Sequence, residues 1–163
     1  MAPARVGIVV GSASDLPTLQ PARDLLDRFG VGYELRVLSA HRTPAAATEF
    51  ASTALERGLQ VLIAAAGLAA HLPGALAAQT PLPVIGVPVA SGSLGGIDAL
   101  LAIVQMPRGV PVATVAIGGA ANAALLAVQM LSLADDALRQ QLIAYRAEQA
   151  KGVLEQDAKL REA

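Results

Sequence analysis

Both histidines of the chain, His41 and His71, lie in stretches rich in small residues. His41 stands in Ser39-Ala40-His41-Arg42-Thr43-Pro44, beside an arginine whose planar donor fork suits a phosphate or carboxylate. Imidazole both gives and takes a proton near neutral pH, so a histidine next to an anion-binding guanidinium is a candidate acid–base group. The plainer readings are a histidine hydrogen-bonded to backbone and an arginine capping a nearby carbonyl. His71 stands in Ala66-Gly67-Leu68-Ala69-Ala70-His71-Leu72-Pro73-Gly74, where small residues let backbone approach a ligand closely. A third stretch, Gly11-Ser12-Ala13-Ser14-Asp15, offers hydroxyls ahead of a helix start, a favourable place for an anion. Its plainer reading is N-capping by Ser14 or Asp15. Asp15 would repel a phosphate, so its use in a site would be to accept hydrogen bonds from ribose hydroxyls or an amine. A fourth stretch runs Pro88-Val89-Ala90-Ser91-Gly92-Ser93-Leu94-Gly95-Gly96.

Several chemistries are excluded by what these stretches lack. Neither histidine has a nearby acidic or cysteine partner, and the chain has no cysteine, so a metal centre is not expected. No GxGxxG or GxxxxGK[ST] follows the first apolar run, which argues against a dinucleotide or P-loop site. A phosphorelay receiver needs an acidic cluster and a late lysine, where this chain has Gly118-Gly119-Ala120-Ala121-Asn122. Net charge is −1 and aromatics make up 2%, so neither a nucleic-acid surface nor an anionic-membrane surface is expected.

The elements that position these stretches can be read from periodicity. Five short apolar runs, Arg5–Val10, Tyr33–Leu38, Val61–Ala66, Val84–Val87 and Val112–Ile117, read as strands. Helical patterns separate them. Leu16, Leu19, Ala22, Leu26 and Phe29 share a face, with Gly30 as C-cap. Thr43-Pro44 reads as N-cap and first turn of a helix closing near Gly58. Further helices are expected at about Leu72–Ala78, Ile97–Gln105 and Ala120–Leu133. Strand–helix alternation with continuous apolar strands predicts an α/β fold: a three-layer, flavodoxin-like, doubly wound parallel sheet. All four stretches then follow strands, and topology gathers them at one end of the sheet.

The chain's 163 residues suit one domain. Residues 1–133 form its α/β body and 134–163 a charged, amphipathic extension, with Leu138, Leu142, Tyr145 and Val153 on one stripe and Asp135-Asp136 at its positive end. Fully helical, that extension would reach about 40 Å, against a radius of gyration of about 15 Å for such a domain. It is therefore expected to dock on a neighbouring subunit, with Gly152 a candidate break. The charged fraction is 15%, below a typical value of about 25%, which points to surface buried in a homo-oligomer or to a simple alanine bias. The opening MAPARVGIVVGS has too short an apolar run for a signal peptide. No run approaches the about 20 apolar residues of a membrane span. The absence of cysteine suits a reducing cytoplasm.

Taken together, VGIVVGSASD (6–15), LSAHRTP (38–44), AHLPG (70–74), VIGVPV (84–89), IVQMPRGVPVATVAIG (103–118) and AANAALLA (120–127) resemble the class I, bacterial-type N5-carboxyaminoimidazole ribonucleotide mutases of purine synthesis. The class II enzymes, which carboxylate aminoimidazole ribonucleotide with CO2, read differently at AHLPG. The resemblance implies transfer of a carboxylate from the exocyclic nitrogen to ring carbon C4, with no cofactor or metal. It implies that His41, rather than His71, protonates the departing nitrogen and later removes the C4 proton. Ser12, Asp15 and Arg42 match positions that hold the ribose phosphate; Ser14, Ser39, Ala40, Gly67, Ala69, His71 and Leu72 complete the expected substrate contacts. An octamer with C-terminal helices reaching onto adjacent subunits is also implied. Two features depart from the family: Leu68 stands where a second glycine is usual, and Gly118–Asn122 is short. Direct carboxylation, or a non-catalytic nucleotide- or flavin-binding module on the same fold, are the alternatives; the shortage of aromatics argues against flavin.

Overall fold

Val61-Leu62-Ile63-Ala64-Ala65-Ala66 has no polar side chain, and such a strand is stable only with both faces covered. The computed structural model, which describes residues 3–161, places it at the centre of a sheet with all six residues buried. The last two residues of the expected C-terminal segment lie outside the described residues. Five strands, β1 (Ala4–Val10), β2 (Gly32–Val37), β3 (Val61–Ala66), β4 (Val84–Pro88) and β5 (Ala113–Thr114), pair in parallel in the order β2-β1-β3-β4-β5. This is the expected flavodoxin-like arrangement. Helices α1 (Gln20–Arg28), α2 (Pro44–Ser52), α3 (Leu72–Ala77), α4 (Ile97–Val104), α5 (Ala120–Ser132) and α6 (Asp136–Arg161) alternate with the strands and follow them.

Period-two alternation along the strands divides the core into two layers. Val6, Ile8, Val10, Ile63 and Ile85 pack with Leu26 of α1, Ala124 and Val128 of α5, and Leu138 and Leu142 of α6. Val9, Leu62 and Ala64 pack with Phe50 of α2, Leu76 of α3 and Ile103 of α4. Strand order reverses between β1 and β3, so the crevice at their carboxyl ends is the place for a ligand.

Local chemistry accounts for the larger departures from the expected boundaries. Pro17 removes an N–H donor, and Ala13–Leu19 is accordingly a 3-10 segment; regular α-helix starts only at Gln20. Gly30, at φ +65°, ends α1 as expected. The second helix stops at Ser52, not near Gly58: the hydroxyls of Ser52 and Thr53 both donate to the Glu49 carbonyl, at 3.3 and 2.7 Å, and turns follow. Thr43 gives no side-chain cap to α2. β5 has two residues rather than the expected Val112–Ile117, since Pro88 at the end of β4 has no N–H to continue the ladder. Gly152 does not break α6, which runs unbroken for 26 residues. The first turns of α6 are anchored to the body. Asp135 accepts from Leu138 N–H at 3.0 Å and from Arg5 Nη1 at 2.8 Å, and both bonds hold its carboxyl below the usual range. Phe29 and Tyr145 meet with ring centroids 5.5 Å apart. Farther along α6, Val153 and Leu154 are exposed. No described helix is long and apolar enough to cross a membrane.

Candidate active site

A cleft of about 450 Å³ opens at the carboxyl edge of the sheet, lined by the loops after β1, β2 and β3 and by Ser91 after β4. All the residues expected from the sequence to bind or react, from Ser12 to Leu72, line it. Arg42 is the one cation among the lining residues and Asp15 the one carboxylate. Among the described residues no group of three or more His, Cys, Asp or Glu is placed to hold a metal ion.

The β1 and β2 loops are tied into one wall. Ser12 is extended, and its Oγ accepts from Ser14 N at 3.4 Å and lies 2.9 Å from Ser14 Oγ. The cap of this segment is therefore Ser12, two residues before Ser14 and three before Asp15, the caps weighed from sequence. Ser14 Oγ also lies 3.3 Å from Asp15 Oδ1. In the next loop Thr43 Oγ1 accepts from Ser39 N at 2.8 Å and donates to Ser39 O at 3.2 Å, closing Ser39–Thr43 into a ring. Inside that ring Ser39 Oγ accepts from His41 N at 3.3 Å and Arg42 N at 3.1 Å. Arg42 Nη2 donates to Gly11 O at 2.7 Å, so the arginine does bond a carbonyl. Arg42 Nε also donates to Ser39 Oγ at 3.5 Å, so two of the five donors hold the guanidinium across the two loops and the other three of this exposed group are left for an anion.

The two histidines meet. His41 Nε2 lies 2.7 Å from His71 Nδ1, with the rings nearly perpendicular at 82°. One nitrogen donates and the other accepts, so the contact fixes complementary tautomers and leaves each ring one further nitrogen for other partners. His41 is thus not a histidine satisfied by backbone. Its neighbour through space is 30 residues away in the chain.

The β3 loop is of another kind. Ala70 N donates to Gly67 O at 3.0 Å, making a tight turn whose first central residue, Leu68, has φ +55°. Turns with a positive angle there take glycine by preference. Ala70 also has a positive φ, +43°. His71 immediately precedes α3, and Leu72, though it lines the cleft, has its side chain buried in the core. Leu72 therefore presents backbone to the cleft. Sequence reasoning singled out no residue after β4, yet Ser91 lines the cleft with its Oγ buried and unpartnered. A serine just beyond a buried strand, at the edge where the other loops gather, was the available signal.

The sequence matches the AIR carboxylase family over residues 5–152. It is 58% identical over 152 residues to the N5-carboxyaminoimidazole ribonucleotide mutase of Vibrio vulnificus, covering 92% of this chain and 94% of that one. The enzyme of the same name from Mycobacterium tuberculosis is 57% identical over 156 residues, covering 96% and 90%. The structure of Treponema denticola PurE superposes with a TM-score of 0.86 at 31% identity, over 95% of this chain and 97% of that one.

Proposed function

The chain belongs to the AIR carboxylase family, and we propose from that premise how its cleft carries out the reaction of the mutases it resembles. The reaction converts N5-carboxyaminoimidazole ribonucleotide to 4-carboxy-5-aminoimidazole ribonucleotide, an isomerisation in purine biosynthesis. Arg42, with Ser12 and Ser14, receives the phosphate at the wall built by the β1 and β2 loops. Asp15 accepts from the ribose hydroxyls, and Ser39 and Ala40 carry the base towards His41. His41 donates its proton to the exocyclic nitrogen as the N–C bond breaks, releasing CO2 and aminoimidazole ribonucleotide inside the cleft. C4 attacks the CO2, and His41 takes the C4 proton, so the imidazole ends as it began and no atom is gained or lost. His71 and the backbone of Gly67, Ala69 and Leu72 close the other side. No step calls for a cofactor.

The observation that carries this reading is the joining of His41 to His71 at 2.7 Å beside an arginine tethered to the β1 loop. It sets an acid–base group within reach of an anchored phosphate ester. Purified protein given N5-carboxyaminoimidazole ribonucleotide should form the C4-carboxylated product. Product from aminoimidazole ribonucleotide and CO2 alone, with none from the N5-carboxylated substrate, would replace the mutase with a direct carboxylase.

A homo-oligomer, of eight subunits as the resemblance implies, is part of the proposal. Leu94 ahead of α4 and Ile97, Leu101 and Val104 on it are exposed and apolar, and the far half of α6 carries Val153, Leu154 and Leu160 into solvent. Removing residues 147–163 leaves Leu138, Leu142 and Tyr145 in place and should lower the number of subunits found by light scattering without unfolding the body; an unchanged subunit number would free α6 of that role. The chemistry and the lack of cysteine suit the cytoplasm.

A further inference from the structure

The β3 loop lies directly on the β4 loop, and what it covers is a hydroxyl without a partner. Ser91 Oγ is inaccessible and makes no hydrogen bond. It rests against Gly67 so closely that a Cβ built there would come within 2.3 Å of it. One residue on, Leu68 packs on Gly92, where a Cβ would stand 2.8 Å from Leu68 Cδ2. The covering turn is itself strained, with Leu68 and Ala70 both in the left-handed region. A buried hydroxyl with no partner is costly, and so is a non-glycine residue at positive φ. Both costs sit at one place, and movement of a single short turn relieves both.

Ser91 also lies where the reaction needs a donor. The charged and hydroxyl-bearing groups of the β1 and β2 loops take the phosphate end. The β3 wall offers the side chains of Leu68, Ala69 and Ala70, none of them polar, before His71. The migrating carboxyl group carries a charge that it loses as CO2 and regains on C4. We propose that Ser91 is the hydroxyl that holds this carboxyl group, donating a hydrogen bond to one of its oxygens once substrate displaces the Gly67–Ala70 turn. The assignment rests on the mutase reading. It makes Ser91 a retention device, since CO2 held by a hydrogen bond escapes the open cleft less often before C4 attacks.

Ser91→Ala tests this through the fate of the carboxyl carbon. Substrate labelled in its carboxylate is turned over in unlabelled bicarbonate buffer, and label in the C4 product is compared with label lost to solvent. Wild type should retain more, with the variant's loss per turnover rising about three- to tenfold. Inhibition by ribose 5-phosphate should be unchanged, since the phosphate wall is untouched. The thermal midpoint should stay level or rise, because the removed hydroxyl has no partner to lose. Equal retention by both proteins overturns the assignment, and so does a fall in midpoint with retention unaltered, which marks the hydroxyl as structural. If wild type forms no C4-carboxylated product, the mutase reading fails first and takes the Ser91 assignment with it.

Discussion

The two walls of the cleft are built in opposite ways. On the β1 and β2 side, Ser12, Ser39, Arg42 and Thr43 each have a partner, and Arg42 bonds the two loops together. On the β3 and β4 side, two residues hold left-handed backbone without being glycine and Ser91 has no partner. A wall satisfied before substrate arrives is suited to a group that does not change in the reaction, the phosphate in the proposed function, at little reorganisation cost. A wall left unsatisfied is suited to a part of the substrate that does change. The histidine pair bridges the two.

The largest effect should follow from cutting that bridge on the satisfied side. His41→Asn keeps a hydrogen-bonding side chain but deletes proton transfer, and should lower kcat by about 10²–10⁴-fold. Ribotide binding should survive, which calorimetric titration or a crystal structure of the variant can check. His71→Asn should cost less in kcat. Near-normal turnover by His41→Asn, with His71→Asn folded, binding and inactive, would move the proton shuttle to the other wall.

Arg42→Ala comes next. A charge-assisted phosphate contact should be worth about 1.5–3 kcal/mol, or a KM raised about 10- to 150-fold, with kcat little changed if the contact is uniform through the reaction. Equal inhibition of wild type and variant by simple phosphate esters would show that the satisfied wall does not bind the phosphate.

The difference between the walls also governs how much could be read from the sequence. Strand order, the gathering of four loops and the meeting place of His41 and Arg42 follow from alternation of apolar strands and helices, which is a long-range regularity. Gly30 and Asp135 were legible because a helix end demands those residue types. Ser91 was not: an unpartnered serine differs from a partnered one only through what packs on it, and Gly67 comes from another strand. The His41–His71 contact was hidden for the same reason. The two-residue β5 depends on a missing donor in β4, a property of register rather than of its own sequence. Leu68 stood out as a departure, and the structure supplies its conformation.

A smaller effect is expected from Thr43→Val. The Thr43 hydroxyl makes two of the three bonds that close the Ser39–Thr43 ring, the third being Thr43 N–H to Ser39 O at 2.9 Å, and valine has nearly its shape without the oxygen. Loss of stability should be about 1 kcal/mol, read from chemical denaturation. KM should rise more than kcat falls, because the loosened ring carries Arg42. An unaltered midpoint and KM would mean the first wall is held without the Thr43 hydroxyl.

The smallest effect, and the sharpest comparison, lies in Leu68→Gly against Ala69→Gly. The two positions are adjacent in one exposed turn, so both variants gain the same unfolded-chain freedom, a loss of about 0.5–1 kcal/mol. They differ in what the folded state gains. Leu68 holds φ +55° while Ala69 is not among the residues at positive φ, and a left-handed non-glycine residue costs roughly 1–2 kcal/mol that glycine does not. Leu68 forfeits some contact with Gly92, but its side chain is 56% exposed, so that loss is small. Leu68→Gly should therefore be as stable as the native chain or slightly more so, with Ala69→Gly measurably less stable under the same denaturant. Equal destabilisation of the two would show that the turn stores no strain, and the contrast between a satisfied and an unsatisfied wall would then rest on Ser91 alone.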